Sequence, residues 1–319
     1  MTRESKTNSP NPKGRAFVLV VVFCVALLST IANGQSKPGR TYSSSKALRS
    51  MARVYMAYGE YAKAQPLAEK ALTLAQKRGA CDSELAMCFI DLAVLYSGQG
   101  RPADAEKMCE LGLHLQEKVL CKNHPYLAYT LRTLSSIYSE GGKYDRARSA
   151  LDKAVTIMLD SNRADDKVMA PFYVDIAKLF VVEGDFEKAE SYYQRAMALI
   201  VNSYGPDHLY TSNVLGSIAK LYILQGKYAE AEELINRAVA IQEKMYGPDH
   251  HLIAVSWLTK AKICQVKGDT AEAEKLIKRA LDAVGRTGNV TAFMKLEQSV
   301  EEIRAGKQAA YGPIAKADK

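Results

Sequence analysis

Histidine and cysteine are the residues of this chain whose types and spacing come closest to a chemical site. His208 and His250 stand 42 residues apart, and His124 falls two such steps before His208. Cys81, Cys88, Cys109 and Cys121 lie within 41 residues of one another. Histidines in one column suggest a metal or a base, and clustered cysteines suggest zinc or disulfides. Zinc is disfavoured, because no Cys-x-x-Cys pair with a matching Cys or His set exists. A Gly-x-Ser-x-Gly elbow, a Walker loop, a Gly-x-Gly-x-x-Gly after a strand and a His-Glu-x-x-His are also missing.

The elements that would have to position these residues follow from an internal repeat. Gly59, Gly100, Gly142, Gly184, Gly226 and Gly268 are spaced by 41, 42, 42, 42 and 42 residues. Five positions after each glycine stands an alanine: Ala64, Ala105, Ala147, Ala189, Ala231 and Ala273. Seven further on come Ala71, Gly112, Ala154, Ala196, Ala238 and Ala280. Seven residues make about two helical turns, so both small columns share a face that another helix can approach closely. Four positions before the glycines stand Tyr55, Tyr96, Tyr138, Phe180, Tyr222 and Cys264. Each repeat therefore reads as a helix, a tight glycine turn and a second helix, and a lone hairpin of this kind leaves an apolar face unburied. Stacking spreads the histidine column over positions at least a helix diameter apart, roughly 10 Å. A shared metal or catalytic centre does not fit that spacing, and capping or packing at the joints between hairpins does.

The joints repeat as well: "YGPDH" occurs at 204–208 and at 246–250. A glycine after the last turn, a proline that blocks continuation and an aspartate that caps the next helix would make a stop and a start. Asp207 and Asp249 are the expected caps, with Cys81, Asn123 and Asp165 at the equivalent positions.

The pattern resembles the tetratricopeptide repeat, and its 42-residue period with "YGPDH" joints and the "GKY" turns at 142–144 and 226–228 is similar to the kinesin-light-chain type. Trp257 stands where that family favours tryptophan. Departures are Pro102 and Thr270 for the turn aromatic, Gly112 for alanine and Lys260 for an apolar residue. The resemblance implies an all-α, right-handed superhelical solenoid of stacked antiparallel hairpins. Six repeats are expected over 41–288, at about 41–80, 81–121, 122–163, 164–205, 206–247 and 248–288. A capping helix over 289–306 and a flexible tail over 307–319 follow.

In the resembled family first-helix residues line the inner, concave face. Six positions before the turn glycines these are Arg53, Val94, Ser136, Lys178, Lys220 and Lys262. Lys178, Lys220 and Lys262 form a basic ladder, extended by Lys46 and Arg49, with Tyr129, Arg132 and Asn213 on the same face. Such a groove suits an extended acidic peptide, and the plainer reading is a solubilising face. The implied function is non-catalytic protein binding without a cofactor. The alternative is a structural, self-assembling component, a homo-oligomer within an envelope or secreted complex.

Folding the second repeat about Gly100 brings Cys81 near Cys121 at the open end and sets Cys88 and Cys109 further in. The pairs are candidates for disulfides, although 7 residues separate the cysteines on one helix and 12 on the other, so only one bridge suits straight helices. Buried thiols are the alternative, and Cys264 is expected to be a buried small hydrophobe.

The N-terminus carries a basic stretch, the thirteen-residue apolar run from Ala16 to Leu28 and the small residues Ala32-Asn33-Gly34. Residues 1–34 read as a signal peptide or an uncleaved anchor, with 35–40 as linker, which places the repeats outside the cytoplasm. Asn289-Val290-Thr291 is a glycosylation sequon. The net charge of +8 is partly spent on this leader and falls short of a nucleic-acid footprint.

Overall fold

The computed structural model describes residues 42–161, 165–287 and 290–306. The expected leader, the linker, the tail and Asn289 of the sequon lie outside them. The chain divides into two units between Ala47 and Leu48. The first contributes the opening residues of helix α1 (Tyr42–Ala57), and the remainder belongs to the second.

The described residues are all-α, with helices in consecutive hairpins. After α1 come α2 (Tyr61–Lys77), α3 (Asp82–Gly98), α4 (Pro102–Val119), α5 (Pro125–Glu140) and α6 (Tyr144–Asp160). They continue with α7 (Asp166–Glu183), α8 (Phe186–Tyr204), α9 (Leu209–Leu224) and α10 (Tyr228–Tyr246). A 3-10 turn at His251–Ile253 leads into α11 (Ala254–Val266), α12 (Thr270–Gly285) and α13 (Val290–Arg304). From α3 to α12 each helix packs on the next, and α13 lies against α11 and α12.

All six turn glycines have positive φ, between 70° and 83°. That conformation carries no steric penalty only for glycine, and it closes the same bond each time. The N–H after the glycine donates to the carbonyl of the column four positions before it: Arg101 to Tyr96 at 2.8 Å, Lys143 to Tyr138 at 2.8 Å and Lys227 to Tyr222 at 2.9 Å. This six-to-one bond satisfies a carbonyl the helix end leaves open. Pro102 sits in the first turn of α4, where its missing N–H is of no consequence.

The alanine columns are the seams. Ala64, Ala105, Ala147, Ala189, Ala231 and Ala273 are all 0% exposed, as are Ala71, Ala154, Ala196, Ala238 and Ala280. A third small column lies on the first helices, at Ala52, Ala93, Ser135, Ala177, Ala219 and Ala261; its one hydroxyl, on Ser135, donates to the Ala147 carbonyl at 2.7 Å. Apolar residues from three hairpins form one core, from Ala93 and Cys109 through Leu151 and Met158 to Phe172 and Leu179. Each buried leucine or phenylalanine contributes about 2 kcal/mol, and no hairpin supplies that burial alone.

At the joints the structure corrects the assignment of the caps. His208 has extended backbone (φ −89°, ψ 153°), and its Nδ1 accepts the Tyr210 N–H at 3.2 Å. His124 does the same for Tyr126 at 3.2 Å and His250 for Leu252 at 3.3 Å. Asn123, Asp207 and Asp249 therefore stand one residue too early to be caps; Asp165 and Cys81 do occupy N-cap positions. The tyrosine of each motif stacks on the capping ring, Tyr204 on His208 at 4.8 Å and Tyr246 on His250 at 4.9 Å. Gly205 and Gly247 (φ 90° and 94°, ψ 166° and 158°) adopt the extended positive-φ region open essentially to glycine.

Candidate functional site: the inner face of the first helices

Five of the six residues that stand six positions before the turn glycines, all but Arg53, line two cavities. A small one, about 250 Å³, lies among Val94, Arg132, Ser136, Asp175 and Lys178. A larger one, about 650 Å³, takes Val94 and Glu140 on one side and Lys220, Ile223, Leu258 and Lys262 on the other, with Leu296 and Ile303 of α13 closing it. The second unit meets itself here. His251 Nε2 is 2.7 Å from the Tyr58 carbonyl oxygen, and the His250 and Tyr58 rings approach edge-on at 6.3 Å.

The cations expected on this face are not equivalent. Asp91, 3% exposed, accepts from Arg49 Nε at 2.6 Å on one oxygen and from Arg53 Nε at 2.7 Å on the other. Asp175 accepts from Arg132 Nε at 2.6 Å and from Lys178 Nζ at 2.9 Å. Arg49, Arg53, Arg132 and Lys178 are thus held by carboxylates in the same or the next hairpin. Lys262 is pulled below the ordinary lysine pKa by burial, with the Glu302 charge opposing. Lys220 is partly buried; burial first, and then the Lys178 charge, pull its pKa down, and no hydrogen bond or ion pair reaches it among the described residues. The three lysines of the ladder therefore differ: Lys178 is ion-paired, Lys262 has no ion pair among the described residues but feels the Glu302 charge, and Lys220 has neither. Lys46 is exposed on α1, in the first unit, and Asn213 is exposed on α9. Tyr129, 38% exposed, lies 6.1 Å from the Phe172 ring of the next hairpin.

Asp91 and Asp175 were not singled out in the sequence, although a signal exists. Both stand nine positions before a turn glycine, and the preceding repeat carries arginine ten before its own, Arg49 and Arg132. The other members of the column are hydroxyls that bond back along their own helix, as Thr133 to Tyr129, Ser217 to Asn213 and Thr259 to Val255.

Tyr138 and Tyr222 tie neighbouring hairpins together, donating to Glu110 at 2.9 Å and to Glu190 at 2.7 Å. The Tyr138 phenol is pushed up to about 12 mainly by burial, and that of Tyr222 to about 12 mainly by its bond to Glu190. No disulfide joins the described cysteines. Cys81 and Cys121 are exposed at the open end of their hairpin, and Cys88 and Cys109 are buried. The Cys109 thiol points out of its own hairpin, donating to the Thr130 carbonyl at 3.7 Å. Burial pushes its pKa up to about 12, which keeps it protonated.

A third cavity, about 900 Å³, lies away from that column, among Leu113, Leu127, Leu131, Asp152, Lys153 and Ile157. Its rim carries charges of both signs.

A search among curated proteins found no match. Among solved structures, BtubC (BKLC) from P. vanneervenii is 22% identical over 72% of this chain and 91% of its own, with a TM-score of 0.53. NprR in complex with its cognate peptide NprX is 14% identical over 88% and 79%, with a TM-score of 0.65. A Rap protein complexed with Competence and Sporulation Factor is 12% identical over 89% and 74%, with a TM-score of 0.68. These likenesses are of fold. The profile of the MalT-like TPR region matches residues 35–204, and that of the tetratricopeptide repeat matches 169–244 and 218–284. With these profiles matching more than half of the chain, and its helices forming consecutive hairpins, the chain belongs to the tetratricopeptide-repeat family.

Proposed function

We propose that this protein is a non-catalytic scaffold that binds an extended polypeptide segment along the inner face of its first helices. The carrying observation is that Val94, Ser136, Lys178, Lys220 and Lys262, one from each of five successive hairpins, line adjoining cavities, with Lys220 left unmatched. An extended segment crossing this face meets mainly apolar and hydroxyl groups and places one acidic side chain opposite Lys220. Two fold relatives whose structures hold a peptide or a signalling factor, NprR and Rap, support the polypeptide class. The N-terminal apolar run supports placing the repeats outside the cytoplasm; no described helix is long and apolar enough to cross a membrane.

A photo-crosslinking residue placed at Ser136 (inner) or at Lys107 (outer, on α4) in the native cells tests the reading. The expected result is a discrete protein adduct from position 136 alone, lost when Lys220→Glu is added. An adduct from position 107 alone, or one indifferent to Lys220→Glu, overturns it.

A further inference from the structure

The larger inner cavity has features that an extended segment does not require. Its volume, about 650 Å³, lies in the range of small-molecule sites, which run from roughly 300 to 1,000 Å³. It is bounded on several sides: by α2, α3 and α5 through Tyr61, Val94 and Glu140, by α9 and α11 through Lys220 and Leu258, and by α13 through Ile303. The contact of His251 with the Tyr58 carbonyl holds the two sides together. Gly98 belongs to this wall for a steric reason. A Cβ there would stand 2.4 Å from the Tyr61 ring, so only glycine lets that ring lie against the end of α3.

The lining has a defined charge pattern. Glu140 accepts from Ser97 Oγ at 2.7 Å. Glu302 is the charge that acts on Lys262. Lys220 has neither kind of partner among the described residues, and it stands beside Ile223, Leu224, Val255 and Leu258. A cation set among aliphatic groups is stabilised by one anionic group that brings its own apolar surface.

We propose that this cavity is a binding site for a small hydrophobic monoanion, a carboxylic acid on an aliphatic body. The carboxylate pairs with Lys220, and the body lies against Ile223, Leu224, Val255 and Leu258. A molecule with several negative charges is disfavoured, because Arg132 and Lys178 are already paired with Asp175 and the charge of Glu302 acts on Lys262 in the same cavity. Since the cavity walls come from both ends of the second unit, occupancy also favours the state in which those ends touch. The inference shares Lys220 with the peptide-binding reading but does not rest on it.

Titration calorimetry of the full chain with decanoate, decanol and decylamine tests the site. Decanoate is expected to bind at least tenfold more tightly than the other two. Lys220→Met is expected to bring decanoate down to the level of decanol. Val255→Trp fills the cavity from a residue that is 56% exposed, so the fold is kept, and is expected to abolish binding of all three. Decylamine binding as tightly as decanoate, or decanoate binding unchanged in either variant, overturns the proposal. A positive titration with no adduct from position 136 leaves this site standing and removes the peptide reading; the converse removes this site alone.

Discussion

The Nε2 of His251 lies 2.7 Å from the main-chain carbonyl oxygen of Tyr58, 193 residues earlier in the chain. Open stacks of hairpins touch only their sequence neighbours; here the start of the last hairpin reaches the turn of the first. One hydrogen bond of this kind contributes about 1 kcal/mol, enough to hold two ends that the stack has already brought near. With spin labels at the exposed positions Ala62 and Met245, His251→Ala should broaden the distance distribution toward longer values. A distribution as narrow as that of the unsubstituted chain would show that the contact does not hold the ends.

Beside that contact, His250 makes stability depend on pH. Its Nδ1 accepts the Leu252 N–H only when unprotonated, and burial first, then the neighbouring His251, hold its pKa below the usual value. Its other ring neighbours are Tyr246 and Tyr58, with centroids at 4.9 and 6.3 Å. Because the folded-state pKa is depressed below the unfolded value of about 6.5, the cap contributes fully above that pH and is lost as pH falls through the lower folded value. Urea melts should lose up to about 1 kcal/mol on this account on acidification, the usual worth of a cap. His250→Asn, which can accept the same N–H without titrating, should lose less. Equal pH dependence in the two proteins would rule out the histidine cap as its source.

Asp91 holds two guanidinium groups from a nearly buried position, with Arg49 also buried. Removing one member of a buried pair leaves an uncompensated charge and typically costs about 3–5 kcal/mol. Asp91→Ala should therefore be far more destabilising in chemical denaturation than Asp175→Ala, whose partners Arg132 and Lys178 have side chains 35% and 58% exposed and reach water. Equal effects would show that burial at Asp91 does not set its importance.

Gly112 occupies a column that is otherwise alanine. Replacing a mid-helix glycine by alanine ordinarily stabilises by about 1 kcal/mol. Here a Cβ would meet Ile90 Cγ1 at 2.8 Å and the Ala86 carbonyl oxygen at 3.1 Å. Gly112→Ala should therefore lower stability, by about 1–3 kcal/mol as overpacked cores do. In an Ile90→Ala background the same change should be neutral or stabilising. A stabilising Gly112→Ala in the unchanged background would mean that the helices part without cost.

The family, the hairpins and their seams were legible because each turn glycine and each alanine recurs with the period, and both act through backbone conformation or absent bulk. The family resemblance places the six-before column on the inner face, and five of its six members, all but Arg53, line the cavities. What could not be read from columns was pairing between repeats. Lys178 looks equivalent to Lys220 in sequence, and Asp175, one helical turn away, makes it different. Aspartate is a commoner capping residue than histidine, so the sequence points to Asp207 and Asp249. The helix at Leu209 starts one residue later than that expectation, which leaves the acceptor role to the imidazole of His208.

Amide hydrogen exchange of the full chain, with and without a peptide selected against it from a random library, tests the central claim most directly. The account predicts that protection concentrates on α3, α5, α7, α9 and α11, the helices that carry Val94, Ser136, Lys178, Lys220 and Lys262. Protection confined to α4 and α6, beside the outer cavity of Leu113 and Ile157, would contradict it.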